Sequence, residues 1–393
     1  MRKVYLDHIA TTPLHPQVLD AMLPYLKENF GNPQSLHSTG QEASNAVEEA
    51  REKVAQLLHA QPAEIFFTSS GSESNNFALK GFAHTQQSRG THIIHSAVEH
   101  QSVLHSAKSL EKQGFNVSVV PVDKWGMVNP DEVRKALKED TILVSIMWAN
   151  GEVGTIEPVR EIAEMCRSRD VLFHTDAVAA VGNIPVDVKE LGVDALSLAG
   201  NQFYGPKGSA VLFVKKGKRI MPFIDGGIQE GGRRAGTENV AGIVGLGKAA
   251  EIAMKEMEKR IGKAKPLRDR LIQLLPQKVD HVVLTGHPEE RLPHHASFCI
   301  EFIEGEAMLL NLDMQGISTS SGSACTSRAL KASHVLLAMG LDHALAQGSL
   351  VFSLIEETTS KDMDYLLEVF PPIVERLRKM SPLYTKYLEE REK

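Results

Sequence analysis

The sequence predicts an α/β protein with a mostly parallel sheet, and three features of its 393 residues carry that expectation. From about residue 40 to 260, helical patterns such as "GQEASNAVEEAREKVAQLLHA" alternate with short β-rich runs. These runs are "EIFFTSS", "THIIHSA", "NVSVVPV", "TILVSIMWAN", "VLFHTDAV", "ALSLAG" and "SAVLFVKK". They are continuously apolar rather than alternating, as expected of strands covered on both faces by crossover helices. Finally, 42% hydrophobic and 23% charged residues in a chain of this length suffice for a large core and a second, smaller domain.

The elements follow in order. After the last of those runs comes "ENVAGIVGLGKAAEIAMKEMEKRIGKAKPLRDRLIQLLPQ", a helical pattern too long for a routine crossover. It leads into a segment of different rhythm, which places a large domain at 15–261 and a small domain at 1–14 plus 262–393. The tail "TSKDMDYLLEVFPPIVERLRKMSPLYTKYLEEREK" reads as an amphipathic helix with a solvated, charged end. A net charge of -6 supplies no basic surplus for nucleic acid or an anionic membrane. No stretch approaches the ~18 apolar residues of a spanning helix, and the N-terminus lacks a signal-like apolar region. Three scattered cysteines, Cys166, Cys299 and Cys325, form neither a disulfide framework nor a Cys-rich zinc site. These features predict a cytoplasmic protein.

In an open α/β sheet, ligands sit beyond the carboxyl ends of the strands, so the residues after each strand are the candidate site. "FFTSSGSESNN" puts Gly71 and Ser72 at a strand-to-helix turn, where amides and a hydroxyl suit a phosphate; a serine there also serves as an ordinary N-cap. "VEHQSV" puts His100 after the next strand, either stacking on a ring or structural. "FHTDAV" ends on Asp176, a carboxylate costly to bury without a cationic partner. "GGRRAGTENV" offers Arg233, Arg234 and Thr237 as an anion site or a plain turn. "SGSACTS" sets Cys325 in a loop of small residues that suits a reactive thiol. In "RLPHHASFCI", His294 and His295, with Cys299 nearby, could suggest metal, but successive residues of a probable strand face opposite sides, which favours a structural role.

Taken in order along the chain, "YLDHIATTP", "FGNPQSLH", "FTSSGSESNN", "VEHQSV", "WANGEVGTIEPV", "HTDAVAAVG", "YGPKGSAVLFV", "GGIQEGGRRAGTENV", "SGSACTS" and "SHVLLAMGL" resemble the pyridoxal-phosphate-dependent cysteine desulfurases of iron–sulfur cluster assembly. The resemblance implies the aminotransferase-like fold type I, a smaller α+β domain and a homodimer. It implies that Asp176 pairs with the pyridine nitrogen, His100 stacks on the ring and takes part in catalysis, Asn150 lies beside the ring, and Gly71, Ser72 and Thr237 surround the phosphate. It makes Cys325 the thiol that takes sulfur from L-cysteine.

The chain departs from that family at five positions. The lysine that holds the cofactor covalently falls on Gln202 and the histidine before it on Asn201. Other cofactor contacts fall on Ala179 and Ala199, and the arginine for the substrate carboxylate falls on Val351. Glutamine has no nucleophilic nitrogen, so any pyridoxal phosphate is held noncovalently. Lys207, in "YGPKG", belongs to the turn that the family has beside its catalytic lysine. Three readings follow: a desulfurase acting on L-cysteine; a persulfide carrier, or a partner of an iron–sulfur scaffold protein with Cys325 as ligand to a shared cluster; and different cofactor chemistry on the same fold.

Overall fold

The computed structural model describes residues 2–322 and 332–391 of the chain. Cys325 therefore lies outside the described residues. Twelve strands form three sheets among these residues: β1 (Val4–Tyr5), β2 (Ile65–Thr68), β3 (His92–Ser96), β4 (Asn116–Val120), β5 (Thr141–Ser145), β6 (Leu172–Asp176), β7 (Ala195–Ala199), β8 (Ala210–Val214), β9 (Val282–Thr285), β10 (His295–Ile300), β11 (Ile317–Ser318) and β12 (Ser349–Ser353).

The seven runs read from the sequence are β2 to β8, and they make one sheet in the order β2-β8-β7-β6-β5-β3-β4. Pairing is parallel from β4 to β7, while β8 runs antiparallel to both β7 and β2. Six of the strands are buried along their whole length; β4, at the edge, exposes Asn116 and Val119. An edge strand has a neighbour on one side only, so its apolar run is not matched by burial.

Strand alternation divides the large core into two layers. Ile94, Val144, Phe173, Leu196 and Phe213 pack with the helices Ser38–Leu58, Val159–Ser168 and the first part of Val240–Lys278. Ile93, Leu143, Leu172 and Leu212 face the opposite way, against Phe77 and Phe82 of Gly71–Gln86 and Val103 and Leu110 of Gln101–Glu111. Buried apolar side chains of this size contribute roughly 1.5–3 kcal/mol each. Inside the sheet, His174 on β6 bonds Ser145 on β5 (2.9 Å) and Ser197 on β7 (3.0 Å), and burial pushes its pKa down to about 3.

The helix Val240–Lys278 is continuous through Pro266. A proline removes the bond to the carbonyl four residues back; that residue, Gly262, is exposed. The helix carries Ile243 and Leu246 into the core of the large sheet and Leu271 and Leu275 into a second core. The second core lies around the antiparallel sheet β12-β10-β9, with Phe298, Phe352 and Phe370 at its centre. N-terminal β1 pairs in parallel with β11, and Val4 and Leu6 join this core.

The segment 224–237 is fastened to the large sheet by a buried ion pair. Glu230, at φ 47°, accepts from both terminal nitrogens of Arg51 (2.8 and 2.9 Å) and from the Phe67 amide (2.8 Å). Arg51 also lies over the Phe67 ring at 4.7 Å. Removing one partner strands a buried charge, so Glu230→Ala is expected to lower the unfolding free energy by about 3–5 kcal/mol, measured by chemical denaturation against wild type.

Candidate functional site

The carboxyl ends of β2, β3, β5, β6 and β7 surround a cavity of about 560 Å³, closed on its other side by Ile9, Ala10, Ser320, Ser321, Gly322, Ser333, His334, Val335 and Val351. At the tip of β6, Asp176 is 5% exposed. Its Oδ1 accepts the Val178 amide (3.0 Å) and its Oδ2 accepts Asn75 Nδ2 (2.6 Å). The same Asn75 amide group donates to Ser102 Oγ (2.9 Å), which bonds His100 Nδ1 (2.7 Å). A chain of four side chains therefore links the cavity floor to the His100 ring.

Local structure places each member. Ser70 is the N-cap of Gly71–Gln86, its side chain accepting the Glu73 amide, so Ser72 sits exposed in the first turn and is not the cap. Position 71 must be glycine, because a Cβ there would meet Val178 Cγ2 at 2.5 Å. Asn75 follows one turn later, which turns its side chain to the same face. His100 lines the cavity and also caps Gln101–Glu111: its Nδ1 accepts the Ser102 amide, which leaves the proton of the neutral ring on Nε2. The two alternatives read from the sequence, ring-facing and structural, are both met by one residue.

Asn150 also reaches the cavity, with its hydrogen bonds spent within the chain. Its Oδ1 accepts the Glu152 and Val153 amides, and its Nδ2 donates to Val98 O (3.0 Å). Thr237 does not line this chain's cavity. It is exposed, beside Glu238, which Gln34 ties to the segment 28–37 by a 3.1 Å hydrogen bond. Nor do Arg233 and Arg234 form an open anion site. Arg234 pairs with Glu73 at 2.8 Å, and Arg233 lies over the Phe66 ring at 4.7 Å. Against the upward push of burial, bonds from Arg234 and Ser69 hold the Glu73 carboxyl below its usual range. His294 stacks on His8 (4.3 Å between centroids), while His295 Nε2 bonds Gly151 O at 3.0 Å. Among the described residues no cluster of His, Cys, Asp and Glu is arranged to hold a metal ion.

All five departures from the resembling family, Ala179, Ala199, Asn201, Gln202 and Val351, stand on the wall of this one cavity. Gln202 is locked there. Its Nε2 donates to Ile9 O (2.9 Å) and its carbonyl meets His8 Nε2 (2.9 Å), while its Oε1 is enclosed without a partner. Lys207 is exposed and away from the cavity, and no lysine or arginine lines it among the described residues. Three further groups were not singled out from the sequence: Asn75, Glu99 and His334. Asn75 had a signal, a position one turn after Gly71; the other two owe their place to burial and tertiary contact.

The chain belongs to the aminotransferase class-V family, whose sequence profile matches residues 4–366. Among its relatives is "Cysteine desulfurase IscS" of Methanosarcina thermophila, 51% identical over 385 residues that cover 98% of this chain and 95% of that one. A solved "NifS-like protein" superposes with a TM-score of 0.90 at 40% identity, covering 96% of this chain and all (100%) of the other. A structure titled "SspA in complex with cysteine" gives 0.80 at 31% identity, over 91% of this chain and 100% of that one. These matches place the chain among the homologues of cysteine desulfurases and bear out the α/β fold with its mostly parallel sheet.

Pyridoxal phosphate, which this family implies, fits the donor set. Asp176 suits a protonated ring nitrogen, the first-turn amides of Gly71–Gln86 suit a phosphate, and the exposed His100 ring suits stacking. Covalent attachment does not fit the described wall, which offers Gln202 where an amine is needed.

Buried carboxyls make this end of the sheet sensitive to pH. Glu157, 3% exposed, accepts the Val128 amide (2.8 Å) and leaves Oε1 unpartnered; burial holds its pKa well above the ordinary 4.5. The unfolded chain loses this proton near pH 4.5 while the folded chain keeps it, so the folded state binds more protons and stability falls as pH rises above that value. Glu157→Gln is expected to flatten the decline by up to about tenfold in the unfolding constant per pH unit, read from denaturation midpoints across pH.

Proposed function

We propose that this protein handles sulfur from L-cysteine for iron–sulfur cluster assembly, holding pyridoxal phosphate noncovalently and passing sulfur through Cys325. The observation that carries the reading is the pattern of the cavity wall. The frame from Asp176 through Asn75 and Ser102 to His100 is complete, while the position of the covalent lysine is a buried, hydrogen-bonded glutamine. Bound pyridoxal phosphate supplies an electron sink. The chain supplies a carboxylate to its nitrogen, a ring to its face and helix amides to its phosphate. The sulfur of cysteine then moves to the Cys325 thiolate as a persulfide, and alanine leaves.

The other thiols support this assignment. Of three cysteines in the sequence, Cys166 and Cys299 are buried and unpaired, and burial pushes both thiols up to about 12. A thiolate step therefore falls to Cys325. Unpaired thiols also agree with a reducing cytoplasm, and no helix among the described residues is long and apolar enough to cross a membrane. We assign a homodimer as well. Phe30 and Leu36 are 82% and 92% exposed, on the segment hydrogen-bonded to Glu238 beside Thr237. Pairing through this face buries them and carries Thr237 toward the second copy's phosphate site. The division into domains 15–261 and 1–14 plus 262–393 belongs to the same reading.

Gln202 favours a second reading, in which the chain receives persulfide from another source, or lends Cys325 to a cluster shared with a scaffold protein. Anaerobic alanine formation from L-cysteine with added pyridoxal phosphate separates the two. Alanine well above free cofactor and above Cys325→Ala is expected for a desulfurase; alanine at the free-cofactor level leaves the carrier or cluster role. A companion substitution, Gln202→Lys, is expected to create borohydride-reducible cofactor attachment, detected as added mass, which the unaltered chain lacks.

A further inference from the structure

Besides Asp176, two glutamates line the cavity, Glu152 and Glu99. Glu99, at the turn after β3, is 0% exposed and lines the cavity. Its Oε1 accepts two hydrogen bonds, from Ser96 Oγ (2.6 Å) and the Met147 amide (2.9 Å). Its Oε2 is buried and has no partner among the described residues. An ionised carboxylate left with one bare oxygen out of water is expensive. A carboxylic acid at the same place costs less, because it carries no charge.

The groups around it push the same way. Asp176, at the tip of β6, raises the cost of a charge on Glu99, and neither Glu152 nor Glu157 offers a cation to offset it. From the helix His334–Ala338, His334 Nε2 bonds the Glu99 carbonyl at 3.0 Å, and burial lowers the pKa of that imidazole, so it brings no charge to balance Glu99. His100, next in the chain, is turned to Ser102. Burial, opposed by the Ser96 and Met147 hydrogen bonds, takes the Glu99 carboxyl up to about 8.

We propose that Glu99 is a proton-bearing acid in the wall of this site, its proton on the enclosed Oε2, beside Asp176. The two carboxyls then differ in environment: each oxygen of Asp176 accepts an N–H donor, while Glu99 has both its donors on Oε1. Such a divergence in environment is how paired carboxyls divide acid and base roles. In a chain with glutamine at position 202, Glu99 gives the cavity a group that can hold a proton near neutral pH and release it.

The test compares wild type with Glu99→Gln, which keeps a donor at the same place and cannot ionise. Infrared titration of the chain without cofactor is expected to show protonated carboxyl absorption of which a part, lost near pH 8, is missing from Glu99→Gln, the remainder belonging to Glu152, which burial also takes up to about 8, and to Glu157. This reading does not depend on cofactor binding. The second arm rests on the proposed cofactor site and uses pyridoxal phosphate as probe, followed by absorbance. Affinity of the wild type is expected to fall by about tenfold or more as pH rises through that value, relative to a flat ratio for Glu99→Gln. Unchanged infrared spectra in Glu99→Gln overturn the protonated acid. Equal pH dependence of binding in both proteins overturns its part in binding. If neither protein binds the probe, the cofactor reading fails while the infrared band still decides the state of Glu99.

Discussion

A buried carboxylate must be surrounded by donors, and at Asp176 this requirement organises the site. The donors come from its own strand tip, through the Val178 amide, and from the helix that follows β2, through Asn75. Because Asn75 has a second amide hydrogen, the same residue holds Ser102 and through it His100. Helix starts after β2 and β3 are thereby fixed relative to the tip of β6. The close approach of Gly71 to Val178 belongs to the same constraint, since a side chain at 71 would push the helix off the floor.

Against this geometry, the five altered positions are not scattered defects. They share one wall, and the group at 202 has been absorbed into structure: Gln202 ties the loop after β7 to Ile9, near the point where the N-terminal segment crosses to the second core. His8 adds to the same junction, bonding Gln202 O on one side and Leu354 O on the other while stacking on His294. The residue that would carry chemistry in the family thus carries architecture here. Asp176 and Glu99 keep ionisable groups on the floor, so the cavity retains polar chemistry after losing the amine.

Much of the fold was legible because its signals are local. Continuous apolar runs reported β2 to β8, and the uninterrupted helical pattern reported Val240–Lys278 even across Pro266, where solvent takes the place of the missing bond partner. The edge position of β4 and the antiparallel course of β8 were not legible. Both are decided by which strands become neighbours, and a run of apolar residues reads alike in either direction. Of the strands of the second core only β10 was read, in "RLPHHASFCI"; the others lack the strand–helix alternation that marks the large sheet.

For the site, the sequence alone determined the residue types at the strand tips: Gly71, Ser72, His100, Asn150 and Asp176 come together because the carboxyl ends of parallel strands share one edge. It also determined that position 202 offers no nucleophilic amine. Tertiary structure decided how those residues are used. It spent Asn150 on closing its own turn, committed Arg234 to Glu73, and set Thr237 on the outer surface. Above all it left Glu99 sealed with one oxygen unpartnered. A glutamate in a sequence is equally a surface charge or a buried acid, and only the packing around it removes the water that makes the difference.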